Sequence, residues 1–318
     1  MVLPYILFGL GIFILIKSAD YIIEGSSSLA KKLGVSNIII GLTVVAFGTS
    51  LPELVVNIFA SVQGASGVSF GNIAGSNIVN VLLILGITAI ITNVKVRSRT
   101  VWKEIPFALL ATFVLFALIS KIFFTNETSL LWNDGLVLLA LLVMFIYYII
   151  QSAIEDKKRI ELIEEVDVSN WKITVKLIVG LVGIYFGGQW VVDGAVFMAG
   201  QLGLSQFLIS ATIIAIGTSL PELVVCIVAA TKKNIDLAVG NIVGSNIFNI
   251  LWVFGVIPFI SPIKIPPFIG IDIGIMFGSM LLLFVFMFLG KKKELTRKDG
   301  ITFVLFYVIY VIYIIARG

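Results

Sequence analysis

The chain has 318 residues, of which 59% are hydrophobic and 13% charged, with a formal net charge of +4. A mean hydropathy of +1.12 leaves too little polar surface to coat a soluble globule, so lipid must solvate most of the chain. The basic residues lie in short tracts between apolar runs, which argues against a nucleic-acid binder, and a single cysteine (Cys226) with no histidine excludes a disulfide framework, a thiolate or imidazole metal centre and histidine-based acid–base chemistry.

A bilayer core of about 30 Å needs roughly 20 apolar residues per helix. Ten such stretches follow in chain order: 3–22, 37–60, 69–92, 102–121, 130–151, 172–192, 206–230, 238–260, 267–289 and 299–316. The first lacks a basic leader and a small-residue cleavage site, so it reads as a retained helix rather than a signal peptide. The expected fold class is therefore an all-α polytopic membrane protein with ten transmembrane helices. Cytoplasmic loops retain Lys and Arg. Of the 22 basic residues, 19 fall on one side, and only Lys121, Lys264 and Arg317 fall on the other. A multi-pass cell-membrane protein follows, with both termini extracellular. The mixed-charge stretch 154–170 becomes a solvated cytoplasmic linker between a first five-helix unit, 1–153, and a second, 171–318.

Those two units are related by sequence. Residues 48–56 read GTSLPELVV, and residues 217–225 read the same. Residues 71–80 (GNIAGSNIVN) align with 240–249 (GNIVGSNIFN) at the same separation of 169 (217 − 48 and 240 − 71). An odd number of helices per unit turns the second over relative to the first. The expected architecture is two inverted five-helix repeats, with substrate bound near the midplane where they meet.

Pro52 and Pro221 remove a backbone donor and crowd the carbonyls of Gly48 and Gly217, so each helix should break there. Such a break at membrane depth is tolerated where the freed carbonyls meet protein, water or an ion. Glu53 and Glu222 read as the only carboxylates deep within the spans. A charge at a helix centre costs about 2.5–3.5 kcal/mol, so two in equivalent places point to a function. Around them stand hydroxyls of Thr49, Ser50, Thr218 and Ser219 and the amides of Asn80 and Asn249; Ser76 shares a helix face with Asn80, and Ser245 with Asn249. An all-oxygen set suits calcium and sodium, while softer metals want nitrogen or sulfur and magnesium retains its waters. Asn72, Asn241, Asn77 and Asn246 read as caps and packing groups, and Asp20, Glu24 and Asp193 as wet helix-end acids outside the site.

With these motifs in place, the sequence resembles the cation/calcium exchanger superfamily, and in particular its compact prokaryotic sodium/calcium exchangers, over nearly the whole chain. The resemblance implies that Glu53 and Glu222 bind calcium with the carbonyls of Ala46 and Ala215 and the hydroxyls of Thr49 and Thr218. Sodium would use overlapping oxygens and add Ser50, Ser219, Ser76, Ser245, Asn80 and Asn249. It also implies that the first and sixth helices slide across a rigid core to alternate access. Some relatives carry aspartate at one of the positions held here by Asn80 and Asn249, so the two glutamates are the site's formal charge. The expected function is antiport of sodium against calcium, not enzymatic catalysis, with no cofactor and no obligatory protein partner beyond the lipid bilayer. A proton/calcium antiporter of the same fold is the alternative, because buried carboxylates can carry protons.

Overall fold

A computed structural model describes residues 3–120, 129–160, 169–201, 215–266, 269–289 and 293–317. In chain order the helices are α1 (Leu3–Leu33), α2 (Asn37–Thr49), α3 (Leu51–Val62), α4 (Ser66–Ile91), α5 (Thr100–Ile119) and α6 (Trp132–Ile160). The second half continues with α7 (Asn170–Gln201), α8 (Ala215–Gly217), α9 (Leu220–Thr231), α10 (Ile235–Ile260), α11 (Ile269–Phe286) and α12 (Arg297–Arg317). Among the described residues eight helices are long and apolar enough to cross a membrane, or nine when α2 and α3, bent by 40° at their junction, count as one span. The expected span 206–230 lies partly outside the described residues, which retain its C-terminal part as α8 and α9.

Several expectations from sequence need correction. The chain is not wholly helical, because two antiparallel two-residue ribbons tie its halves together. Strand β1 (Val94–Lys95) pairs with β4 (Glu294–Leu295), and β2 (Ser129–Leu130) pairs with β3 (Ile263–Lys264). Helix α1 runs past residue 22 to Leu33, and α6 runs past 151 to Ile160. In α6 good helix formers such as Glu, Lys and Arg carry the helix on, whereas in α1 the added turns pass through Gly25 and three serines and are held by the burial of Ile23, Gly25, Ser26 and Ala30, with Lys31 and Lys32 in the last turn. The linker expected at 154–170 therefore begins as helix, and its residues 161–168 lie outside the described set.

Of the eight unbroken spans among the described residues, α4 and α10 are the most buried, each built around a copy of the GNI-x-GSNI-x-N block. Glycine lets α10 touch α2 backbone to backbone. A Cβ on Gly240 would stand 2.6 Å from the Ile38 carbonyl, and one on Gly41 would stand 2.7 Å from the Leu237 carbonyl. The last helix of each half packs on the other half, α6 against the end of α10 and α12 against the end of α4. Helices α1 and α7 lie along one another, and a Cβ on Gly11 would come within 2.8 Å of the Gly187 carbonyl. These crossings put the two duplicated blocks side by side in the interior.

Candidate cation site

Between α2 and α3 the chain leaves the helix at Ser50 (φ −85°, ψ 2°), and between α8 and α9 it does the same at Ser219 (φ −90°, ψ 6°). Each proline then falls in the first turn of the following helix, where a missing N–H costs little. Glu53 and Glu222 sit in those same first turns, at the helix end whose dipole favours a carboxylate. Ser50-x-x-Glu53 and Ser219-x-x-Glu222 also have the spacing of a capping box. That reading fails on geometry, because neither serine hydroxyl caps its helix and both are buried without a hydrogen-bond partner.

Both glutamates are fully buried. Ser76 donates to Glu53 Oε1 at 3.4 Å, and Ser245 donates to Glu222 Oε1 at 3.3 Å. Each serine also meets a threonine of the other half, Ser76 with Thr218 and Ser245 with Thr49, both at 3.4 Å. The two acids thus belong to one constellation that crosses between the repeats. Thr49 donates to Asn241 Oδ1 at 3.1 Å and Thr218 to Asn72 Oδ1 at 3.0 Å, so Asn72 and Asn241 are threonine partners and not helix-end caps. Ala46 is buried at the end of α2, its carbonyl accepting the Ser50 N–H at 3.0 Å, and Ala215 opens α8 three residues before Thr218.

Four asparagines close the site from α4 and α10. Asn80 donates to Asn246 Oδ1 and Asn249 to Asn77 Oδ1, both at 3.0 Å. Asn77 and Asn246 in turn donate to one another's carbonyls, at 3.2 and 3.5 Å. This exchange consumes the amide nitrogens of Asn80 and Asn249 and leaves their Oδ1 atoms buried without a partner. Both residues lie in widened π-helical turns, Val79–Ile84 and Asn249–Val253, an irregularity common at functional sites.

Six of the predicted residues therefore end in buried oxygens that lack a hydrogen-bond partner: Glu53 and Glu222 through Oε2, Ser50 and Ser219 through Oγ, and Asn80 and Asn249 through Oδ1. Leaving a buried acceptor unpaired costs about 1–3 kcal/mol, and more when it is charged. Six in repeat-equivalent places are what a hard cation would compensate. Two other acids are almost as buried in the protein, Glu104 at 2% and Asp272 at 6% exposure, each near the start of its helix. Each of those has a cation: Glu104 meets Arg99 and the Tyr148 hydroxyl, and Asp272 takes a two-pronged contact from Arg317 at 3.0 Å. Glu53 and Glu222 have no basic partner among the described residues. Sequence reasoning passed over Asn57, one turn after Glu53, which donates to the Glu53 carbonyl at 2.6 Å and accepts from Ser69 at 2.7 Å. The i, i+4 spacing of two polar groups in an apolar helix was its signal.

The family model described as "Sodium/calcium exchanger protein" matches residues 3–151 and 172–316. The chain is 39% identical to the putative antiporter CaxA of Alkalimonas amylolytica over 302 residues, covering 94% of each protein. It is 31% identical to the sodium/calcium exchanger MaX1 of Methanosarcina acetivorans over 334 residues, covering 94% of this chain and 95% of that one. Among solved structures, the sodium-calcium exchanger NCX_Mj soaked with sodium and strontium superposes with a TM-score of 0.81 at 35% identity, covering 98% of both chains.

Proposed function

This chain belongs to the sodium/calcium exchanger protein family, and we propose that it is a secondary antiporter exchanging sodium for calcium by alternating access. The observation that carries this reading is the set of six unpartnered buried oxygens, two of them from carboxylates that lack a basic partner among the described residues. Glu53 and Glu222 hold calcium, with the backbone oxygens of Ala46 and Ala215 and the hydroxyls of Thr49 and Thr218 completing its shell. Ser50, Ser219, Ser76, Ser245, Asn80 and Asn249 add the oxygens that sodium uses. One calcium neutralises two carboxylates, so the loaded site is not an isolated charge in lipid. Asn77 and Asn246 hold Asn80 and Asn249 with their oxygens free, and Asn72 and Asn241 orient the threonines.

The same reading makes 1–153 and 171–318 inverted five-helix units forming ten spans, with 154–170 cytoplasmic and both termini extracellular. The 169-residue repeat and the one-sided distribution of Lys and Arg support it. The pair α1 and α7 moves across the core formed by the other helices. A tenfold sodium gradient provides about 1.4 kcal/mol per ion, and 100 mV about 2.3 kcal/mol per net charge, so three sodium ions per calcium would provide about 6.5 kcal/mol.

Calcium-45 uptake into liposomes preloaded with sodium or choline, at fixed pH and clamped voltage, tests the proposal. Uptake that needs internal sodium is expected. Equal uptake from choline vesicles that follows an imposed pH gradient would replace it with proton/calcium antiport.

A further inference from the structure

The two sides of the site differ, although the repeat makes them counterparts. A shift of 169 turns Asp20 into Gln189 and Glu24 into Asp193, and pairs Val56 with Val225 and Gln63 with Lys232. On one side α1 packs along α9. Lys232, at the C-terminal cap of α9, reaches across to α1, with Nζ 2.7 Å from Asp20 and 3.6 Å from Glu24. Lys176 of α7 holds the other oxygen of Glu24 at 2.9 Å, and Asn234 donates to Ser27 of α1 at 2.9 Å. This side is shut: Ala19, Ile23, Thr49 and Val225 are all buried.

On the opposite side a cleft of about 260 Å³ separates α3 from α7, lined among others by Pro52, Val56, Gln189, Asp193 and Thr218. Val56 is half-buried where its counterpart Val225 is 0% exposed. Gln63 caps α3 in the place that Lys232 takes on α9. Among the described residues Asp193 has no basic partner, whereas its counterpart Glu24 has two. Glycine contacts along α1 and α7 pack these helices closely along each other, which suits their moving as one unit.

We propose that Lys232 is a one-sided latch: by tying α9 to Asp20 and Glu24 it holds one face of the site closed, and its ion pairs must break before that face can open. Because the equivalent residue is Gln63, the opposite face has no such tie, and the chain rests with the α3–α7 cleft open. This rests on the alternating-access reading and its orientation, by which the latched face is cytoplasmic. It does not depend on which ion drives exchange.

The test uses full-length protein in oriented vesicles, with single cysteines at Val56→Cys and Val225→Cys and the native, buried Cys226 as background. A membrane-impermeant methanethiosulfonate applied from either side reads the openness of each face at fixed sodium and without calcium. With Lys232 intact, Val56→Cys is labelled from outside and Val225→Cys is protected. Lys232→Gln lowers the first rate and raises the second, changing their ratio about two- to fivefold, the range for a partly exposed ion pair. Gln63→Lys, which places a cation at the repeat-equivalent of Lys232 on the opposite face, moves the ratio in the same direction while leaving the latch itself untouched. If Val225→Cys fails to fold, the fall in Val56→Cys labelling carries the test. An unchanged or opposite ratio in Lys232→Gln overturns the latch, and no response to Gln63→Lys overturns the account of the resting state. Labelling needs no flux, so a proton-coupled protein would still show the shift, and a proven sodium/calcium exchanger can fail it.

Discussion

Glu53→Gln changes one atom in the proposed site and almost nothing in its shape. The Ser76 hydroxyl can still donate to the retained carbonyl oxygen at the Oε1 position. The Oε2 atom, which has no partner among the described residues, becomes an NH₂ group. Calcium then loses one of its two carboxylates and meets a donor instead. Removing one member of a buried ion pair costs about 3–5 kcal/mol. That corresponds to a fall in calcium affinity of roughly two to three and a half orders of magnitude. The same change should stabilise the ion-free protein, because a fully buried acid without a counter-charge becomes a neutral amide. Thermal unfolding in detergent separates the two effects: in chelator the variant should melt at or above the parent, and added calcium should raise the midpoint of the parent alone. Glu222→Gln should behave alike, since it occupies the repeat-equivalent position and lacks a partner at its own Oε2. A calcium affinity within threefold of the parent in both variants, measured by titrating this stabilisation and by calcium-45 uptake, would refute the assignment.

Two further outcomes follow from the packing. Asn77→Ala removes the acceptor that holds the Asn249 amide at 3.0 Å, so the Asn249 oxygen is no longer presented in one orientation. A 10- to 100-fold loss of ion affinity is expected, the usual range for a group that orients a ligand, and sodium-dependent uptake against ion concentration would measure it. Gly240→Ala places a methyl group 2.6 Å from the Ile38 carbonyl and 3.0 Å from the Leu42 nitrogen, both backbone atoms that cannot rotate aside. It should lower stability by about 1–3 kcal/mol, read as a lower melting point, and should slow transport because α2 carries Thr49 into the site.

Much of this site was legible because duplication and lipid both restrict what a sequence can mean. An acid in the middle of an apolar run is expensive, and finding the same nine letters twice around it, at Glu53 and Glu222, marks it as more than chance. The two prolines located the helix breaks at Ser50 and Ser219. Partner choice was not legible. Asn72, Asn77, Asn80 and their counterparts share one short block and the same residue type, and only the crossing of α4 with α10 decides which amide is spent on a neighbour. Helix ends were displaced for a related reason: the apolar run gives the extent of the lipid contact, whereas α1 continues to Leu33 through Gly25 and three serines because Ile23, Gly25, Ser26 and Ala30 are buried in tertiary packing.

The sequence by itself determined that the chain is apolar enough for lipid, that two blocks recur 169 residues apart, and that an acid stands at the same place in each nine-residue copy, because hydropathy, identity and spacing are properties of a linear string. The tertiary structure decided the rest. It singled out the glutamates from the other buried acids, since Arg99 beside Glu104 and Arg317 beside Asp272 are neighbours only in space. It also made the halves unequal, pairing Lys232 with Asp20 and Glu24 of α1 while Val56, the counterpart of buried Val225, lines a cleft, because the packing of the helices and not the repeat decides which side chains meet.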